Sequence, residues 1–467
     1  MTDLTSRPAT ELAALVAARK ASPLELAEAC LERIEAQNPV VNAVVSLRDR
    51  SDILAEAKAL TDAAPQGPLH GLPIAIKDLT DAKGLPTTHG STLFANTIAP
   101  SDAAMTAAIR KAGALIIGKT NTPQFGLGSH TTNPVFGPTR NPYDVTKTSG
   151  GSSGGAAAAL ATRMLPIADG SDMMGSLRNP AAWNNVYGFR PSYGVVPQEP
   201  TGDSFLHQLA TSGPMARTPR DLALLLQVQA SAPRAPHHEP LGTPNWSARP
   251  PRTLAWLGDW GGALPMEEGV LELCEAALKT LEADGCRIIS PKPPFELAKI
   301  WRAWVTLRNW AVSCALGPDF DRAPETFNAQ AIWEIEQGRK LSAADVHAAS
   351  EIRSQWDRAF HAMEADLCAL PSAQMFPFDH DLDWPKSVAG TPTDTYHRWM
   401  EVVIPVSLIG VPAVALPAGF RTPRQPMGLQ VFGPRGSDAN LLSLAEAYHL
   451  RTDWPGTVPP VVPATIG

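Results

Sequence analysis

Apolar residues in the first 120 positions alternate between helical and strand-like spacing. Residues 22–25 read Ser-Pro-Leu-Glu, a capping-box pattern with proline at the first helical position, and apolar residues then recur at helical spacing. Short apolar runs predict strands at residues 44–47, 73–77 and 115–118, and residues 102–112 have the pattern of a helix. Because strands and helices alternate, the pattern favours an α/β fold.

The remaining pattern predicts one domain made of five segments. These are an N-terminal part with the candidate chemistry (1–230), a linker-like stretch (231–252), a strand–helix–strand return to the sheet (253–295), a helical, tryptophan-rich cap (296–400), and C-terminal core strands with a helix (401–467). We expect most tryptophans of the cap to pack in its core and one or two to line an aromatic substrate pocket. The seven are Trp301, Trp304, Trp310, Trp333, Trp356, Trp384 and Trp399.

The amino-acid composition and net charge restrict the class of protein to which the chain can belong. The chain has 467 residues, 44% of them hydrophobic and 18% charged, which is typical of a soluble protein with a large core. Its net charge is −7 and it has no dense run of lysine or arginine, so we expect no nucleic-acid partner. Five separated cysteines indicate buried free thiols in the cytoplasm. We see no secretory signal or membrane anchor, and we expect a monomer or homodimer.

Three motifs carry candidate chemistry. An apolar strand ends in Lys77, residues 150–155 read Gly-Gly-Ser-Ser-Gly-Gly, and residues 172–178 read Asp-Met-Met-Gly-Ser-Leu-Arg. A serine hydroxyl needs a positioned base before it can attack a carbonyl, and lysine can be that base only when it is uncharged. An apolar strand desolvates the ammonium group and so lowers a pKa that is ordinarily about 10.4. The motifs therefore indicate a serine hydrolase that acts without histidine.

This combination resembles the amidase signature family, and the resemblance continues through residues 179–182 (Asn-Pro-Ala-Ala) and 188–194 (Gly-Phe-Arg-Pro-Ser-Tyr-Gly). It covers nearly the whole chain, with residues 231–395 only weakly constrained. The resemblance implies an α/β fold in which a mixed central sheet is flanked by helices on both faces and carries a helical cap. It also implies hydrolysis of an amide C–N bond without a cofactor or metal.

The resemblance assigns roles to three catalytic residues. Lys77 is the base, Ser152 carries the proton, and Ser176 attacks the substrate to form an acyl-enzyme. The two serines are 176 − 152 = 24 residues apart, as in the family. The family has a cis peptide before the relay serine, which predicts a cis bond between Gly151 and Ser152.

The oxyanion of the tetrahedral intermediate requires preorganised N–H donors. The candidates are the backbone amides of Met173, Met174, Gly175 and Ser176. Methionine at 174 departs from the glycine that is common in the family. We therefore expect Met174 to affect both the local backbone and the room beside the acyl group.

Supporting roles follow from the same resemblance. We expect Asp172 and Arg178 to brace the nucleophile loop through a salt bridge. Ser171 should form hydrogen bonds within that loop, and Ser153 should orient Lys77.

Other interpretations compete with this one. Residues 113–120 match the P-loop expression but read as a buried strand, which cannot cradle phosphate. Residues 150–154 match the GxSxG elbow of histidine-dependent hydrolases, yet the preceding residues 141–148 read as a polar loop and not as a strand. That alternative would require a histidine downstream of the serine, such as His207 or His449.

Within the family, the function stays open among related activities. The first expectation is an amidase for a small, apolar or aryl substrate. A carbamate (urethane) or ester hydrolase and a glutamine-amidotransferase A-type subunit with a partner are the alternatives. A catalytically inactive binding protein would lack a residue of the relay, and all three residues are present.

Overall fold

The computed structural model of the protein describes residues 3–197, 203, 205–232, 237–247 and 253–463. Strands occupy β1 (Val44–Val45), β2 (Pro73–Lys77), β3 (Leu115–Thr120), β4 (Arg140–Asn141), β5 (Asp144–Thr148), β6 (Ile167–Asp172), β7 (Tyr187–Arg190), β8 (Thr211–Ala216), β9 (Thr253–Trp256), β10 (Arg287–Ile289), β11 (Leu367–Pro371), β12 (Ser387–Val388), β13 (Thr391–Pro392), β14 (Ala413–Phe420) and β15 (Pro426–Phe432).

Helices are interspersed with these strands. They are α1 (Ala9–Ala17), α2 (Pro23–Val41), α3 (Arg50–Asp62), α4 (Ala104–Lys111), α5 (Gly154–Ala161), α6 (Arg178–Trp183), α7 (Pro219–Gln229), α8 (Val270–Ala283), α9 (Leu297–Arg322), α10 (Ala329–Arg339), α11 (Ala343–His361), α12 (Ile404–Ile409), α13 (Asp438–Thr452) and α14 (Trp454–Thr457). In the described part of the chain, no helix has the length and apolar character needed to cross a bilayer.

A mixed sheet forms the centre of the fold. Eight strands follow the order β10-β9-β11-β15-β14-β7-β8-β6, with parallel pairing at the β10 end and antiparallel pairing elsewhere. A three-stranded sheet, β1-β3-β2, lies against its β6 edge. There the backbone N–H of Lys77 in β2 donates to the Asp169 carboxylate of β6 at 2.9 Å. The mixed α/β fold predicted from the sequence is confirmed.

Several local predictions are confirmed within a few residues. The capping box is present: the Ser22 hydroxyl accepts from the Glu25 amide, and the Glu25 carboxylate accepts from the Ser22 amide. Strand β2 has the predicted bounds, and α4 is two residues shorter at its start than expected. Residues 115–120 of the P-loop match at 113–120 form the fully buried strand β3, which excludes a phosphate-binding loop there.

Four expectations need correction. The helical cap does not extend through 296–400, because Leu367–Pro371 is a buried strand between β9 and β15 in the central sheet. Residues 141–148 are not merely a polar loop, since they lie in the short hairpin formed by β4 and β5. The strand expected at 44–47 contains only Val44–Val45. All five cysteines are free, but Cys314 is exposed and not buried.

The linker-like stretch lies partly outside the described residues, which omit 233–236 and 248–252. Its described residues, 231–232 and 237–247, contain neither helix nor strand.

Helix α5 is entirely buried, and small residues allow this. A Cβ on Gly155 would lie 2.4 Å from the Asn121 amide nitrogen and 2.6 Å from the Ala43 carbonyl oxygen. Only glycine permits the helix to approach that backbone so closely. The approach holds the start of α5, and with it the Gly-Ser loop before the helix, beside strands β2 and β6.

Candidate active site

The amine of Lys77 lies at the end of β2 among three serine hydroxyls. Its Nζ is 2.7 Å from Ser152 Oγ, 2.9 Å from Ser153 Oγ and 3.1 Å from Ser171 Oγ. The side chain is only 1% exposed. A neutral amine has two N–H donors and one lone pair, so it can donate to two of these hydroxyls and accept a proton from the third.

Burial changes the ionisation of this amine. Desolvation lowers the pKa of Lys77 from 10.5 to about 7, although the carboxylates of Asp169 and Asp172 act in the opposite direction. Burial also raises the pKa of Asp169 to about 6, against the hydrogen bond it accepts from the Lys77 amide. Near neutral pH, a large fraction of Lys77 is therefore uncharged and able to take a proton.

Hydrogen bonds to the backbone carbonyl oxygens of the Gly-Ser loop hold it in place. The Gly151–Ser152 peptide bond is cis, as predicted. The Gly150 carbonyl oxygen accepts from both the amide and the hydroxyl of Thr131, and the Ser129 hydroxyl donates to the Gly151 carbonyl oxygen. Sequence reasoning missed Ser129 and Thr131, because they lie in a loop about 20 positions before the serines they support.

A buried ion-pair network fixes the loop before Ser176. The Asp172 carboxylate accepts two hydrogen bonds from Arg178, at 2.9 and 3.0 Å, and one from Arg190 at 3.2 Å. It also accepts from the amides of Gly175 and Leu177, at 2.8 and 3.2 Å. Burial opposes ionisation of Asp172, but the two guanidinium groups hold its pKa well below the usual range.

Arg178 extends this network to the C-terminal core. It donates to the Gln430 side-chain oxygen at 2.6 Å and to the Ser407 hydroxyl at 2.7 Å. All of these side chains are buried. The contacts agree with the bracing expected of Asp172 and Arg178, and they add Arg190, whose contribution the sequence did not reveal.

The amides expected to hold an oxyanion are not equivalent. The Gly175 N–H is occupied by the Asp172 carboxylate, so this candidate donor is not free. In the described structure, the amides of Met173, Met174 and Ser176 donate to no other residue. Gly175 has another role: its φ is +80°, and a Cβ there would lie 2.2 Å from Asn179 Oδ1.

Met174 fits the loop without an unusual backbone. Its φ is negative, so the position does not require glycine. The side chain is 3% exposed and lines the cavity in front of Ser176. The predicted effect on the room beside the acyl group stays a prediction.

A cavity of about 240 Å³ contains both Ser152 and Ser176. Its other described lining is mostly apolar and comes mainly from the loop after β3 and from helix α9, with further residues from the loops after β2 and β6 and from Ala210 and Met400. The apolar residues include Leu79, Phe125, Leu127, Ala311, Val312, Ala315 and Leu316.

Neither tryptophan nor histidine is among the described lining residues. The expectation that one or two cap tryptophans line the pocket is therefore wrong, and Phe125 supplies the aromatic ring. Trp304, Trp356 and Trp399 are instead buried in the main core. His207 packs against Trp310, and His449 lies beside Tyr187.

Arg308 of helix α9 brings a charged group to this cavity that sequence reasoning missed. Its Nε and Nη2 donate to the two carboxylate oxygens of Glu334, both at 2.9 Å. Nη2 also donates to the Tyr396 hydroxyl at 3.0 Å, and Nη1 lies 3.4 Å from the Met173 sulfur. The only local signal is an arginine on an apolar helical face, which sequence alone does not connect to the site.

Among the described residues, no three His, Cys, Asp or Glu side chains cluster in a way that could hold a metal ion.

Comparisons with known proteins agree with the geometry. The family profile described as Amidase matches residues 25–442. An acylamidase of Rhodococcus erythropolis is 34% identical over 466 residues, covering 96% of this chain and 95% of that protein. The A-type subunit of the glutamyl-tRNA(Gln) amidotransferase of Chloroflexus aurantiacus is 33% identical, covering 97% of this chain and 98% of that protein.

A solved structure of a bacterial aryl acylamidase of the amidase signature family superimposes with a TM-score of 0.90 at 25% identity, covering 98% of this chain and 99% of that one. The structure of 6-aminohexanoate cyclic dimer hydrolase, 23% identical, shares the fold with a TM-score of 0.84 and covers 98% of this chain and 99% of its own. The profile match and the acylamidase relative show that the chain belongs to the amidase signature family of amidohydrolases.

Proposed function

We propose that this protein is an amidase that cleaves the C–N bond of small, apolar or aryl amides through an acyl-enzyme on Ser176. The observation that carries the proposal is the buried amine of Lys77, which lies within hydrogen-bond distance of Ser152, and Ser152 lines the same cavity as Ser176. Burial lowers the pKa of this amine to about 7, so that near neutral pH about half of it is uncharged, the form that can remove a proton.

The reaction proceeds by proton transfer along the three residues. Ser152 passes its hydroxyl proton to Lys77 and receives the proton of Ser176, whose oxygen forms a bond to the substrate carbonyl carbon. The amides of Met173, Met174 and Ser176 are the proposed donors to the resulting oxyanion. The C–N bond then breaks, and the proton returns through Ser152 to the leaving amine. Water attacks the acyl-enzyme by the same route and releases the carboxylic acid.

The supporting residues keep these groups in place. Ser153 and Ser171 occupy the remaining hydrogen-bonding positions of the Lys77 amine, so that its third position faces Ser152. Asp172 and Arg178 hold the Ser176 loop through buried hydrogen bonds. Positioning of this kind is a large part of catalysis, because it avoids reorganisation during the reaction.

The lining of the cavity supports an apolar or aryl substrate. Apolar side chains form most of the wall, and the cavity volume of about 240 Å³ suits a small molecule. The named activities of the acylamidase relative and of the aryl acylamidase structure agree with this choice. Carbamates and esters are alternative substrates, since the same attack can expel an alcohol from any accessible acyl carbon.

A glutamine-amidotransferase subunit is a second candidate, because relatives with that name are about as similar as the acylamidase. Free glutamine carries a charged ammonium and a charged carboxylate, and a site for it needs partners for both. Arg308, the charged residue among the described lining, is already paired with Glu334. The lining therefore favours an amidase for neutral substrates over a glutamine-dependent subunit. We propose, as a separate expectation, that the enzyme is a cytoplasmic monomer or homodimer.

Labelling with a serine-directed fluorophosphonate tests the proposed nucleophile. We expect mass spectrometry to place the adduct on Ser176, and Ser176→Ala to lose both the adduct and the hydrolysis of a panel of aryl amides, carbamates and esters. An adduct on another residue would refute the assignment. A second protein chain that copurifies, together with activity only on glutamine, would favour the amidotransferase.

A further inference from the structure

Arg308 lines the candidate active site, and not all of the N–H donors of its guanidinium group have a strong hydrogen-bond acceptor. The residue lies in α9, is 3% exposed, and lines the same cavity as Ser152 and Ser176. The other described lining is apolar or consists of serine hydroxyls and backbone. A buried cation in an otherwise apolar wall is costly, so its placement there calls for a physical explanation.

The hydrogen bonds of Arg308 show which part of the group remains available. Guanidinium has five N–H donors. Nε and Nη2 make the bidentate pair with Glu334, and Nη2 also donates to the Tyr396 hydroxyl. Nη1 has two N–H groups, and its one described partner is the Met173 sulfur at 3.4 Å, a weak acceptor. At least one charged N–H donor of this cavity-lining residue therefore has no oxygen or nitrogen acceptor among the described residues.

We propose that Arg308 Nη1 recognises a neutral hydrogen-bond acceptor, such as a second carbonyl oxygen, on an otherwise apolar substrate. This inference rests on the proposed amidase function and specifies its substrate class. Such a substrate would carry an amide for cleavage and, elsewhere, a ketone, ester, carbamate or second amide. The direction of the donor is set by the planar guanidinium, because Glu334 and Tyr396 hold Nε and Nη2 of the same plane.

The charge around Arg308 favours a neutral acceptor over a carboxylate. Glu334 compensates the guanidinium and is itself fully buried. His397, 3.4 Å from the same carboxylate, has its pKa lowered by burial against the pull of Glu334, so it adds little positive charge at neutral pH. A substrate carboxylate would thus become an uncompensated buried anion close to Glu334. A carbonyl oxygen needs only the free N–H.

Matched substrates test this on the unmodified enzyme. One series of aryl amides carries a methyl ketone, an isosteric branched alkyl group or a carboxylate at a saturated position of the acyl chain. A second series carries the same three groups on the amine side, away from the scissile bond. In at least one series, we expect kcat/KM for the ketone to exceed that for the alkyl isostere by about 10- to 100-fold. The carboxylate should be the poorest substrate.

A paired variant connects the preference to Arg308. Arg308→Met combined with Glu334→Gln removes both charges and leaves no unpaired ion in the core. In this variant, the ketone-to-alkyl ratio should fall to about one, mainly through a higher KM for the ketone. Val312→Ala, one turn further along α9, changes the cavity wall without changing its charge, and it should keep the wild-type ratio.

The outcomes separate this inference from the amidase proposal. Equal kcat/KM for ketone and alkyl substrates in both series would overturn the inference and leave the amidase intact, whether or not the paired variant folds. A ketone preference that survives in the folded paired variant would also overturn it. Failure to hydrolyse any member, with no labelling of Ser176, would overturn both proposals.

Discussion

Replacing Lys77 with methionine should change how the stability of the protein depends on pH. The pKa of the folded amine is about 7, whereas the unfolded side chain has the ordinary value of 10.5. Between these values the unfolded chain binds a proton that the folded protein does not, so wild-type stability rises with pH. Methionine cannot titrate. The wild type should therefore gain stability relative to Lys77→Met as pH rises through this window.

The magnitude follows from the two pKa values. Their difference is 10.5 − 7 = 3.5 units, and each unit corresponds to about 1.4 kcal/mol of unfolding free energy. Between about pH 7.5 and 9.5, nearly one proton separates the two states, so the wild type should gain about 2 to 3 kcal/mol relative to the variant. Below the folded pKa, both states are protonated and the difference should become constant.

Urea unfolding followed by tryptophan fluorescence can measure this effect at several pH values. At each pH, the unfolding free energy of the variant is subtracted from that of the wild type. This difference removes the contribution of every other titratable group that the substitution leaves unperturbed. Lys58→Met provides the control, since Lys58 is 71% exposed and forms only a long ion pair with Asp62 at the surface. The control difference should be independent of pH. A difference between wild type and Lys77→Met that is equally flat would show that the folded amine is charged, and the proposed base would be lost.

Four further predictions concern activity. Lys77→Ala should lower kcat about 10²- to 10⁴-fold if the amine is the base, and near-wild-type turnover would contradict this. Wild-type kcat/KM should fall as pH decreases through about 7, because the active form of Lys77 is unprotonated. Asp169→Asn removes a negative charge that raises the pKa of Lys77, so it should move this acid limb down by about one pH unit, and an unmoved limb would exclude the coupling. Met174→Gly should widen the range of acyl groups that are hydrolysed, whereas an unchanged profile across acyl chain lengths would show that this side chain does not limit the cavity.

The reacting groups of the site could be predicted from the sequence because each motif consists of contiguous residues. Lys77 ends a short apolar strand, and the Gly-Ser loop precedes a run of small helix-forming residues. Each pattern predicts its own backbone conformation and the burial of the side chain at its end. The resemblance then connected the patterns, and the structure brings Lys77 and Ser152 to 2.7 Å.

Other features of the structure were predicted wrongly from the sequence or were not predicted at all. Strand β11 is only five residues long and follows three long helices, so its pattern did not distinguish it from the cap. The occupation of the Gly175 amide by Asp172 depends on how one loop folds back on itself. Four of the seven cap tryptophans are buried in the core, and none of the seven is among the described residues that line the cavity, since the packing of neighbouring helices decides which way a large side chain points.

The sequence by itself determined the α/β class, the family and the candidate reacting groups, because periodicity, capping and contiguous motifs act over a few residues. Only the tertiary structure decided that the Lys77 amine is buried among three hydroxyls and that Arg308 and Ser176 line one mostly apolar cavity. Lys77 and Ser176 are 99 positions apart and Arg308 lies another 132 beyond Ser176. Desolvation, ion pairing and cavity shape come from the packing of such distant segments, and no local pattern encodes them.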